Sequence, residues 1–129
     1  MFLRAKKTAQ KIKNRPIKRA KNYHGRLPTS LEANIIKSPD GIYLSQGSSG
    51  RMIFHKGNDI VVVEGKGSAA GGIVTSYGPS GPRGTSGASA LGGSATDPGG
   101  PITLTDILEG KIPAAGGGTL PPAVILEIR

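Results

Sequence analysis

Residues 41–77 decide what this chain can fold into. They contain Ile60-Val61-Val62-Val63, four β-branched apolar residues in a row. A strand that is apolar on both faces must be covered on both sides, so this run belongs in the middle of a sheet. Its full extent is 59–64, and strand-like runs at 42–45, 51–55 and 72–77 flank it. The separators are Gly47-Ser48-Ser49-Gly50, Lys56-Gly57-Asn58 and the stretch 65–71. Gaps this short join antiparallel neighbours, because a parallel pair needs a crossover of about a dozen residues.

A helix precedes the sheet. Pro28-Thr29-Ser30-Leu31-Glu32 reads as its start, with Thr29 as cap and Glu32 reaching back in a capping box. It should run to about Lys37 with Leu31 and Ile35 inward, until Ser38-Pro39-Asp40-Gly41 stops it. The fold class is therefore α+β: an N-terminal helix on a small twisted antiparallel sheet of four to five strands, with a Gly/Pro-rich C-terminal loop region. The fifth strand, or a segment packed on the sheet, is 123–128, where Val124, Leu126 and Ile128 alternate with Ile125 and Glu127. Thr103 to Asp106 can cap a short helix ending before Gly110. From Gly78 to Gly87 a glycine stands at every third place, too briefly for a triple helix, and reads as an extended loop.

The charge is uneven. Residues 1–26 carry ten Lys and Arg and no acid, whereas 27–129 carry seven basic and eight acidic groups. The formal net charge of +9 thus sits at one end and calls for an anionic partner. Residues 1–13 can form a short helix with Phe2, Leu3, Ala5, Ala9 and Ile12 as a weak apolar face, and Pro16 interrupts any continuation. The organisation expected is a basic arm or linker over 1–28 and one α+β domain over 29–129. Within that domain the core is 29–77, the loop 78–101, and the short helix and last strand 102–129. The arm fits a nucleic-acid tether, a solvated linker or, less well given its Lys bias and lack of Ser, a transit segment.

Several chemistries are excluded or unsupported. There is no Cys, so neither disulfides nor thiolate metal sites form. His24 and His55 stand 31 residues apart with no carboxylate cluster beside either, and the Gly-rich runs lack a Walker ending. No metal or cofactor is expected. No run approaches the roughly 18 apolar residues of a membrane span.

Strand parity suggests what remains. In the run 51–55, Met52 and Phe54 share one face and Arg51, Ile53 and His55 the other. In 72–77, Ile73, Thr75 and Tyr77 share a face. If Met52 and Phe54 face the helix, the other face is open and presents His, Arg, Thr and Tyr. That set suits metal-independent RNA cleavage. A base takes the ribose 2′-proton, a cation holds the phosphorane charge, and an acid protonates the leaving 5′-oxygen. His55 and His24 are the base and acid candidates, because imidazole titrates near neutrality. Arg51, Lys56 or Arg83 can supply charge, and Thr75 or Tyr77 hydrogen bonds. Lys37, Lys56, Arg83 and Arg26 are candidate RNA-binding groups. Each residue also has a plainer reading: His55 as an edge histidine, His24 as a linker residue, Arg51 as a surface charge, Thr75 as a strand former and Tyr77 as core.

The layout over about 29–80 resembles the barnase/EndoU/colicin/RelE-like ribonuclease fold at the C-terminal tips of bacterial polymorphic and contact-dependent inhibition toxins. The resemblance rests on the helix, the compact hairpins, and Gly72-Ile73-Val74-Thr75-Ser76-Tyr77 following an all-apolar strand. It implies an endoribonuclease toxin, with tRNA as a candidate substrate, that leaves a 2′,3′-cyclic phosphate. It implies delivery from a bacterial cell surface into a target cytoplasm, a monomer, and a cognate immunity protein. The Gly-rich tail departs from that layout. The alternative is a non-catalytic basic RNA-binding or ribosome-associated protein, and a third is a Gly-rich structural protein. The nuclease reading requires an uncovered basin in front of His55.

Overall fold

The computed structural model describes residues 3–47, 50–80, 102–112 and 119–128. Three helices and six strands follow one another as α1 (Leu3–Lys13), β1 (Lys18–Arg19), α2 (Thr29–Lys37), β2 (Gly41–Ser45), β3 (Met52–Lys56), β4 (Asp59–Val63), β5 (Gly72–Tyr77), α3 (Leu104–Glu109) and β6 (Ala123–Ile128). One sheet holds all six strands in the order β1-β5-β4-β3-β2-β6. The all-apolar β4 lies between β3 and β5 and is buried at every position, as its composition demands. The hairpins β2–β3, β3–β4 and β4–β5 are antiparallel, and so is the pairing of β6 with β2.

The architecture is α+β, but the sheet has six strands and is mixed, because β1 adds to β5 in parallel. Nothing in Lys18-Arg19 marks it as a strand. The chain beyond it keeps company with β5: the N–H groups of Ala20, His24 and Arg26 donate to the carbonyls of Ile73, Val74 and Ser76. The basic segment is therefore not an arm set apart from a body. Its helix α1 buries Ala9 and Ile12 in the main core.

Two apolar clusters sandwich the sheet. On the first face, Phe54, Val61, Val63 and Ile73 pack under Ile12 of α1 and Ile35 and Ile36 of α2. On the second face, Ile53, Ile60, Val62 and Tyr77 pack under Ile102, Ile107 and Ile112. At α2 the expected capping box does not form. Thr29 Oγ1 instead accepts from Arg19 Nη2 at 2.6 Å. Glu32 turns inward, fully buried, and accepts from Tyr23 Oη at 2.8 Å and Ser76 Oγ at 2.5 Å. At α3 the expected cap is present: Thr103 and Asp106 bond reciprocally, and Gly110 closes the helix at φ 73°.

A bulge re-aims β5. Val62 faces Thr75 but Val63 faces Ile73, so one extra residue is accommodated between them. Ile73 consequently joins the first face, while Thr75 and Tyr77 stay on the second. The shared face expected for all three is broken at that point. No helix among the described residues is long and apolar enough to cross a membrane.

Candidate functional site

Parity on β3 is as the sequence implies: Met52 and Phe54 face the helices, and Ile53 and His55 lie on the second face. That face is not open. His55 is only 9% exposed, and its Nε2–H donates to the Ile102 carbonyl at 2.9 Å. The Ile102 N–H in turn donates to the Asn58 carbonyl at 3.1 Å. Residue 102 is thus gripped from both sides, directly over the imidazole. The physical reason is the apolar character of the second face, which needs a cover. Three isoleucines from the C-terminal region supply it.

Beneath that cover the second face carries polar groups. His55 pairs with Ile60, and Ile60 with Tyr77, so the imidazole and the phenol lie on one row across three strands. Tyr77 is fully buried, and burial pushes its phenol well above the usual range, with the Arg26 guanidinium pulling the other way. Thr75, on the neighbouring row opposite Val62, is also buried. Thr75 Oγ1 and Arg26 Nη1 are both buried and have no hydrogen-bond partner. Such orphans are rare in folded proteins and cost about 1–3 kcal/mol each.

The other candidates fall elsewhere. His24 is exposed, with Nδ1 2.7 Å from the Asn22 carbonyl. Arg51 precedes β3 at the end opposite His55, about 13 Å along the strand, and pairs with Glu64 at 3.1 Å. It therefore does not join His55 in one basin. Lys37 Nζ donates to the Arg15 carbonyl, and Lys56 Nζ donates to the Ser38 carbonyl at 2.8 Å, so both side chains tie down loop carbonyls. Arg83 lies outside the described residues. Among the described residues no group of three or more His, Cys, Asp or Glu side chains is placed to hold a metal ion.

The second assembly is electrostatic. On α1, Arg4, Lys7 and Lys11 recur at i, i+3 and i+7, which puts them on one exposed stripe about 10 Å long. Arg15, Lys18, Arg19 and Lys21 continue the exposed cations around the β1 edge. Two acids reach this set: Glu127 pairs with Lys13 at 3.1 Å, and buried Glu32 lies 3.8 Å from Arg19. Arg19 also stacks 4.2 Å from the Tyr23 ring centroid. Tyr23 itself titrates above its usual range, first through burial and then through its bond to Glu32.

Sequence reasoning located the polar residues of the second face but not their cover. It missed the approach of Arg26 to Tyr77, which depends on the parallel addition of β1 and has no signal in Lys18-Arg19. It also missed Glu32 as a buried anchor, because Thr29 and Glu32 have capping-box spacing. Comparison of the chain with protein families, with characterised proteins and with solved structures finds no match in any of the three.

Proposed function

We infer that the chain binds RNA through the cations of its first 26 residues. One observation carries this reading: the surplus charge is mounted on folded elements, α1 and the β1 edge, and most of it faces solvent. A fixed array loses less freedom on meeting a polyphosphate than a loose tail does, and each phosphate it neutralises releases counterions. Binding of the full chain to single- and double-stranded RNA, with DNA as competitor, is therefore expected to weaken steeply with salt. Replacing Lys7 and Lys11 together by Gln should flatten the dependence of log K on log salt by about 1.4 to 1.8, from roughly 0.7–0.9 per contact. RNA affinity that ignores salt, or that survives loss of the α1 stripe unchanged, would count decisively against this reading.

A second reading, cleavage of that RNA, is favoured by the orphaned Thr75 Oγ1, on the strand of Tyr77, and by the orphaned Arg26 Nη1, whose guanidinium acts on the Tyr77 phenol. In it a base removes the 2′-proton and the 2′-oxygen attacks phosphorus. The 5′-oxygen leaves protonated, giving a 2′,3′-cyclic phosphate. His55 can act as that base only with residue 102 withdrawn, since Nε2 now donates to its carbonyl. Delivery as a toxin and neutralisation by an immunity protein belong to this second reading. Incubation with total RNA in EDTA separates the two: cyclic-phosphate ends that disappear in His55→Ala establish cleavage, and intact RNA leaves binding alone.

A further inference from the structure

On the first face of the sheet, away from His55, a cavity of about 780 Å³ opens between the start of α1, the turn after β2 and the loop after β4. Its volume lies in the range that holds small ligands, roughly 300–1,000 Å³. Leu44, Met52 and Val124 give it an apolar floor. Arg4 of α1 and Lys66 of the loop contribute cations to its lining, and no carboxylate is found among the described residues that line it.

Thr8, Ser45 and Gln46 line it too, and the wall between the two loops is formed by glycines: Gly47, Gly50, Gly65 and Gly67. Gly50 adopts φ 64°, and a Cβ there would stand 2.3 Å from Lys66 Cε. A Cβ on Gly65 would stand 2.2 Å from the Gly50 carbonyl oxygen. The two loops touch main chain to main chain, and the aliphatic stem of Lys66 lies along Gly50. Side chains at either glycine would close the wall and displace the lysine. Gly47, Gly50, Gly65 and Gly67 thus serve the cavity as well as the chain's changes of direction.

We propose that this cavity binds one nucleoside monophosphate unit, its phosphate between Arg4 and Lys66 and its base on the Leu44–Met52–Val124 floor. An apolar bed flanked by two cations, with no carboxylate among its described lining residues, matches a planar apolar body that carries an anion. The choice of a nucleotide rests on the RNA-binding reading. The unit could be a free nucleotide or a residue of a single strand, and a base paired within a duplex has no face left to offer the floor.

The test titrates the full chain with AMP, adenosine and inorganic phosphate, and then with a short single-stranded oligoadenylate and an RNA duplex of equal length. AMP should bind at least about tenfold tighter than either fragment, since a charge-assisted contact contributes about that factor. Arg4→Gln and the floor-filling Val124→Phe should each weaken AMP about tenfold or more, with unchanged melting temperature as the check on folding. Lys7→Gln should weaken the duplex and leave AMP as it was. Oligoadenylate affinity that falls in Val124→Phe as AMP affinity does identifies a strand residue as the occupant, and oligoadenylate affinity unchanged in that variant identifies a free nucleotide. AMP no tighter than adenosine or phosphate, or indifferent to both cavity variants, overturns the proposal. Salt-dependent RNA binding that persists in that case leaves the RNA reading standing. AMP binding without RNA binding sinks the RNA reading and keeps the cavity.

Discussion

The two faces of the sheet are closed in different ways. The first is covered by α1 and α2, which bring Ala9, Ile12, Ile35 and Ile36 onto Phe54, Val61 and Val63, and its buried Glu32 accepts two hydrogen bonds at Oε2 while Oε1 lies 3.8 Å from Arg19. The second is covered by Ile102, the six-residue α3 and Ile112, and it carries His55, Thr75 and Tyr77 among the apolar residues. All three helices are shorter than about a dozen residues and draw almost all their stability from docking, but α1 and α2 bury two and three residues each whereas the six-residue α3 buries Ile107 alone. The first face is therefore where the fold is held, and the second is where it can open. Substitutions on the two sides should separate accordingly.

The largest effect belongs to the first face. Phe54 is fully buried between β4 and the helices, and Phe54→Ala should cost about 3–5 kcal/mol. Urea unfolding should show the loss as one cooperative transition at a lower midpoint. Glu32→Ala comes next, at about 3 kcal/mol. It removes the carboxylate that accepts from Tyr23 and Ser76 and that lies 3.8 Å from Arg19. If Glu32→Ala is neutral, the first face is not the rigid side.

The corresponding change on the second face, Ile107→Ala, should cost about 2 kcal/mol, the low end for such truncations, because the cover can lift without unfolding the sheet. Amide exchange checks this: α3 should lose protection while β4 keeps it. Uniform loss across both would show that the two faces unfold as one unit.

Much of this contrast was legible in the chain. Four short strands, their turns, the central place of Ile60 to Val63, α2, the Thr103 cap and the 123–128 strand all follow from local pattern. They follow because each depends on neighbours in sequence: turn glycines, period-two alternation and capping side chains. What was not legible depends on distant pairing. The bulge opposite Val62 and Val63 moves Ile73 to the other face from Thr75, and only the β4–β5 register reveals it. Two basic residues become an edge strand because β5 offers them a free side. Ile102, 47 residues beyond His55, finds the imidazole through the fold and not through any motif. The candidate site was thus half visible, its polar floor readable from parity and its lid not readable at all.

A pH titration probes the same asymmetry with a smaller effect. Burial raises the phenol pKa of Tyr43 and Tyr77 on the second face and of Tyr23 on the first. A tyrosine whose folded pKa lies above its unfolded value of about 10 keeps its full contribution below that pH. Above it the unfolded chain sheds the proton first, so stability falls as pH rises. The decline is at most about 1.4 kcal/mol per pH unit for each such residue. Unfolding midpoints should be flat between pH 8 and about 10 as far as the tyrosines go, then drop. Tyr77→Phe should shrink the drop more than Tyr23→Phe, since Tyr77 is fully buried and Tyr23 only partly.

The smallest expected change is the most discriminating. Thr75 Oγ1 is buried on the second face without a partner, so its hydroxyl is desolvated and receives nothing in return. Thr75→Val preserves the branched shape and removes only that hydroxyl. In a face built solely for stability, the substitution should be neutral or stabilising, by up to about 1 kcal/mol, because an unmade hydrogen bond is being deleted. A melting temperature that rises while RNA binding or cleavage falls would mean the hydroxyl is kept for a ligand, as groups at working sites are kept at a cost to stability. A rise with function intact would assign the second face to packing and leave the cations of α1 as the working surface. A fall of 2 kcal/mol or more would mean the hydroxyl is bonded after all, for instance through water, and would remove the orphaned pair as support for cleavage.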